Sequence, residues 1–229
     1  MPVKSNMDSV KLKVCGITNL ADASMAVKLG ARALGFIFAP SPRQMTPQKA
    51  RKIIRALPPF VMTVGVFVNE APAKIKDIMH HCGLDRVQLH GDESPDFCGE
   101  LMPYTIKALR IKDASSLQAT GAYRGKVRAL LLDTYSQEKV GGTGRTFDWE
   151  LAIRIKKIGI PIILSGGLGP SNIDLAIHTV RPYAVDVSSG VERYPGKKDH
   201  ALMKAMMAKV KKTYQQRQKH YPKRNDINS

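Results

Sequence analysis

The sequence predicts an α/β protein folded as a single-domain (β/α)8 TIM barrel. Three observations lead there. Between Val10 and Ser189, eight short runs rich in Val, Ile, Leu and Phe alternate with stretches whose apolar residues recur at helical spacing, the pattern of repeated βα units. The 229 residues hold eight such units with little to spare. Parallel strands must be covered on both faces, and closing the sheet removes its exposed edges. A doubly wound open sheet is the alternative, but no G-x-G-x-x-G follows the first run, which weakens its dinucleotide-binding version.

The strand-like runs are KLKVCG from Lys11, ALGFIFA from Ala33, VMTVGVFV from Val61, RVQLHG from Arg86, TIKALRI from Thr105, VRALLLD from Val127, IPIILSGG from Ile160 and AVDVSSG from Ala184. Helix starts are signalled by Asn19, Thr46-Pro47, Ala71-Pro72 and Ser94-Pro95, since Ser, Thr or Asn caps the first turn and proline is tolerated within it. Gly30, Gly83 and Gly159 sit where helices end in a left-handed residue. No linker or low-complexity tract interrupts the series, so residues 1–212 are expected to form one barrel domain. Residues 213–229 are expected to be a basic, flexible extension.

Composition narrows the function classes. With 43% hydrophobic and 24% charged residues the chain reads as a folded domain. The longest stretch without charge, Ile158 to Ile173, contains four glycines and two prolines and is too short to span a membrane. The first residues lack the apolar core of a signal peptide, so a cytoplasmic location is expected. Cys15, Cys82 and Cys98 form no C-x-x-C pair, which argues against a disulfide scaffold or structural zinc. The net charge of +17 raises nucleic acid, membrane surfaces and anionic small molecules as partners. From Lys204 onward eight Lys and Arg face a single Asp. A nucleic-acid binder would show a recognition motif or an aromatic stacking cluster. Neither is evident at 6% aromatic content, so nucleic acid is not the expected partner.

In such a barrel the chemistry belongs at the C-terminal ends of the strands. Side chains alternate faces along a strand, so Lys13 shares a face with Cys15, Gln88 with His90, and Asp186 with Ser188, while Asp133 ends another run. These polar sets are expected to converge at the barrel mouth. Three glycine-rich segments could cradle an anion with backbone N–H groups: GGTG with Gly142, Thr143 and Gly144; SGG with Gly166 and Gly167; and SSG with Ser188, Ser189 and Gly190. The last two follow the seventh and eighth runs, where barrels commonly hold phosphate. Cys82 and Cys98 fall in helical segments and read as structural. His80 and His81 are adjacent on a helix and point apart, which argues against a metal site.

Taken together, KVCGIT, GFIFAPSPR, VGVFVN, QLHG, LLLD with GGTGRTFDW, SGGLGPSN and VDVSSGVERYPGKKD resemble the phosphoribosylanthranilate isomerase family of tryptophan biosynthesis, over roughly Val10 to Lys212. The resemblance implies an Amadori rearrangement of N-(5-phosphoribosyl)anthranilate, with no cofactor and no metal. It implies Cys15 as general base and Asp133 as general acid. It also implies Arg43 on the anthranilate carboxylate, His90 and Asp186 in the pocket, and the three glycine-rich segments on the phosphate. The protein would be a monomer or homodimer that needs no membrane. The related histidine-pathway isomerase resembles this chain in phosphate handling but uses two aspartates, so Cys15 separates the two. Strand alternation alone suggests a further role for Lys13, as a cation that favours the Cys15 thiolate.

Overall fold

The computed structural model describes residues 10–111, 117, 120–133 and 149–219. Eight parallel strands, β1 (Lys11–Val14), β2 (Ala33–Ile37), β3 (Met62–Phe67), β4 (Arg86–Leu89), β5 (Thr105–Arg110), β6 (Ala129–Asp133), β7 (Ile162–Leu164) and β8 (Ala184–Val187), close in chain order, with β8 hydrogen-bonded back to β1. This is the eight-stranded barrel the sequence predicts.

The helices packed around it are α1 (Leu20–Leu29), α2 (Pro47–Arg55), α3 (Pro72–Cys82), α4 (Pro95–Glu100), α5 (Trp149–Lys156), α6 (Ile173–Val180) and α7 (His200–Lys219). Three of the expected caps form: Asn19 Oδ1 accepts from the Asp22 amide, Thr46 Oγ1 from the Lys49 amide, and Ser94 Oγ from the Phe97 amide. Each contributes about 1 kcal/mol to its helix. Ala71 before α3 offers no side-chain cap, and there Pro72 supplies the start signal alone. The last helix continues to Lys219, past Lys212. No helix among the described residues is long and apolar enough to cross a membrane.

Strand alternation divides the apolar residues into two layers. Val64, Ile106, Ala108, Ala129, Leu131, Ile163 and Ala184 fill the barrel interior. Leu34, Phe36, Leu89, Leu130, Leu132 and Leu164 point outward and pack with Ile75 of α3, Ile155 of α5 and Ile177 of α6. Burying each large aliphatic side chain contributes about 1.5–3 kcal/mol. A two-stranded hairpin, β9 (Glu192–Tyr194) and β10 (Lys197–Lys198), follows β8 on the mouth side and reaches back to α1, where Asp22 accepts from Lys197 Nζ, the Lys198 amide and His200 Nε2.

Candidate active site

Cys15 follows β1 directly, and its amide donates to the Val187 carbonyl at 2.8 Å, which ties it to β8. The side chain is buried. Gly35 on β2 makes room for it: a Cβ there would stand 2.6 Å from Cys15 Sγ, so only glycine fits. Lys13, one inward step below, is 3% exposed, and its ammonium donates to Asp186 Oδ1 and Gln88 Oε1, each at 2.9 Å. Burial alone would lower this ammonium, but the Asp186 carboxylate and Cys15 outweigh it and hold Lys13 above its ordinary pKa. Burial pushes the Cys15 thiol up; the Lys13 charge opposes that rise without cancelling it, and Asp186 adds to it. Lys13 therefore opposes the rise of the Cys15 thiol, and desolvation remains the larger effect.

Across the barrel, β4 and β6 contribute the other half. Gln88 is 1% exposed, and its Nε2 lies 3.1 Å from His90 Nδ1. His90 Nε2 lies 3.1 Å from Asp133 Oδ2. The polar side chains thus form one hydrogen-bonded line, Asp186–Lys13–Gln88–His90–Asp133, running from β8 through β1 and β4 to β6. Ser165, just after β7, donates from Oγ to Asp186 Oδ2 at 3.4 Å.

Arg43 stands in the loop between β2 and α2, held by a residue not singled out in the sequence. Its Nε and Nη2 donate to the Glu192 carboxylate, the shortest contact being 2.6 Å. Glu192 also accepts from Lys198 Nζ at 2.9 Å, and Lys198 donates to the Ser188 carbonyl. Burial would raise Glu192, but the hydrogen bonds from Arg43 and Lys198 hold its carboxylate below the usual range. The signal available was the VERYPGKK stretch itself, a carboxylate and two lysines around a Pro-Gly turn beside the eighth run.

Gly166 and Gly167 follow β7 in left-handed conformation, ahead of α6. Ser188 follows β8, and Ser189 and Gly190 open a short 3-10 turn. A Cβ on Gly190 would lie 2.0 Å from the Leu168 carbonyl oxygen, so the two loops touch backbone to backbone. The expected third segment, with Gly142, Thr143 and Gly144, lies outside the described residues. A thiol, a carboxylate, two buried cations and paired glycine loops at one barrel mouth suit proton transfer on an anionic substrate.

The sequence profile of a family described as N-(5'-phosphoribosyl)anthranilate isomerase matches residues 12–209. The chain belongs to this family. Membership makes it an isomerase of tryptophan biosynthesis. An N-(5'-phosphoribosyl)anthranilate isomerase of Geobacter sulfurreducens is 53% identical over 203 residues, spanning 88% of this chain and 98% of that one. The crystal structure of phosphoribosylanthranilate isomerase from Thermotoga maritima superposes with a TM-score of 0.82 at 46% identity, covering 89% of this chain and 99% of that one. A structure of such an isomerase in complex with reduced 1-(o-carboxyphenylamino)-1-deoxyribulose 5-phosphate gives a TM-score of 0.80 at 44% identity, with the same coverage.

Proposed function

We propose that the chain converts N-(5-phosphoribosyl)anthranilate to 1-(2-carboxyphenylamino)-1-deoxyribulose 5-phosphate by an Amadori rearrangement, with Asp133 as general acid and Cys15 as general base. The observation that carries this reading is the line of side chains from Asp133 through His90 and Gln88 to Lys13, whose charge acts on Cys15. Acid and base then stand in one pocket.

Asp133 gives its proton to the ribose ring oxygen as the C1–O bond breaks and the anilino nitrogen forms a C1=N bond. The Cys15 thiolate takes the proton from C2. The C2–H electrons become a C1=C2 bond, the imine electrons return to nitrogen, and the resulting enol loses its hydroxyl proton while C1 gains one. Nothing is oxidised or reduced overall, so no cofactor and no metal are needed. Arg43 presents Nη1 to the anthranilate carboxylate while Glu192 holds the other edge of its guanidinium. His90 and Asp186 line the pocket, and the glycine segments that include Gly142, Thr143, Gly144, Gly166, Gly167, Ser188, Ser189 and Gly190 receive the phosphate. The catalytic domain spans residues 1–212, and the enzyme acts in the cytoplasm as a monomer or homodimer.

The test follows the loss of anthranilate-type fluorescence after addition of freshly made phosphoribosylanthranilate. Cys15→Ser and Asp133→Asn are each expected to cut kcat by orders of magnitude with smaller effects on KM. Wild-type turnover in either variant overturns the assignment.

A further inference from the structure

We propose that Gln88 sets the tautomer of His90 and thereby decides which oxygen of Asp133 carries the acid proton. This rests on the reading of Asp133 as the general acid. The argument is one of valence. An ammonium only donates, so the Gln88 atom 2.9 Å from Lys13 Nζ is the amide oxygen. The amide nitrogen is then the atom 3.1 Å from His90 Nδ1, and it also only donates. His90 Nδ1 therefore accepts, and the ring proton sits on Nε2. From there it is donated to Asp133 Oδ2 at 3.1 Å. Oδ2 is thus kept as an acceptor, and Oδ1 is left to carry the proton that goes to the substrate.

Lys13 makes the first step unconditional. Its ion pair with Asp186 keeps it charged, and at 3% exposure no water competes for its donors. Gln88 is 1% exposed, and it reaches Asp133 through His90. It is a positioning residue. A histidine beside a carboxylate has two neutral tautomers open to it; here a buried lysine two hydrogen bonds away selects one.

The experiment is ¹⁵N NMR of the full chain labelled at histidine, with the His90 signals identified by their loss in His90→Asn. The wild-type protein is expected to show Nε2 protonated and Nδ1 bare. Nδ1 protonation, or a mixture of tautomers, overturns the proposal without any variant at Gln88. Gln88→Glu replaces the donor by a second acceptor, so His90 is expected to gain a proton on Nδ1. Its kcat is expected to fall roughly 10- to 100-fold, with KM moving far less. An unchanged tautomer, or an altered tautomer with wild-type kcat, overturns the positioning role. Full turnover in Asp133→Asn would instead overturn the acid assignment and leave the tautomer measurement standing, so the two failures are distinguishable.

Discussion

Of the buried lysine–carboxylate pairs among the described residues, two have opposite uses. Lys107 donates to Glu93 Oε2 at 2.7 Å and to the carbonyls of Leu89 and Gly91, while Glu93 accepts from the amides of Asn69 and Gly91. Apart from each other, these two groups bond to backbone, and the pair pins the loops after β3 and β4. Lys13 and Asp186 are buried just as deeply, but their further partners are side chains: Gln88, Ser165 and, through charge, Cys15. Bonds to backbone carry nothing onward, whereas bonds to side chains pass an orientation or a charge to the next group. Depth of burial does not separate a brace from a working site; the identity of the outer partners does.

Breaking the brace is expected to cost stability and leave turnover in place. Lys107→Met strands Glu93 and should lower unfolding stability by roughly 3–5 kcal/mol in urea titrations, while turnover per folded molecule stays within a few-fold. Adding Glu93→Leu should restore most of that loss. Lys13→Met should instead reduce kcat roughly 10- to 100-fold and move the thiolate absorbance titration of Cys15 still higher, because the charge opposing desolvation is gone. Restoring stability with Asp186→Leu should not restore turnover. Equal turnover losses in the Lys107 and Lys13 variants would erase the contrast.

Arg43→Ala is expected to raise KM about 10-fold with a smaller change in kcat, since the proposed substrate keeps its carboxylate throughout the proposed reaction. A kcat defect at unchanged affinity would count against its role. The smallest effect concerns Asp22, which lies outside both pairs and is held at a pKa of about 2: burial would raise it, but hydrogen bonds from Lys197, Lys198, Asn19 and His200 outweigh that. A depressed carboxyl contributes stability that is complete above its ordinary value near 3.8 and lost as pH falls toward 2. Stability curves of the wild type and Asp22→Asn, separated by about 2 kcal/mol at neutral pH, should converge below that window.

Periodic features were legible in the sequence because they are local. Each of the eight runs contains its strand, and the alternation of Lys13 with Cys15 and of Gln88 with His90 put the right side chains on the inner face. The resemblance, not the spacing, singled out Arg43. What stayed hidden depended on closure. Glu192 lies 149 positions from the Arg43 it holds, so no window of sequence joins them. Glu93 stands one residue before the Ser94 cap, 14 positions from the Lys107 that pairs with it only once the strands lie side by side. Gln88 was visible as an inward residue, but its role follows from which atoms face Lys13 and His90, and spacing does not contain that.

The line from Asp186 to Asp133 also crosses the seam between the two halves of the chain. Cys15, Lys13, Gln88 and His90 come from the first four strands, and Asp133 and Asp186 from the last four. A polypeptide cut between α4 and β5 would leave Cys15 on one fragment and Asp133 on the other. Turnover would then be a reporter of fragment complementation, silent in either half and regained only when the two dock in register.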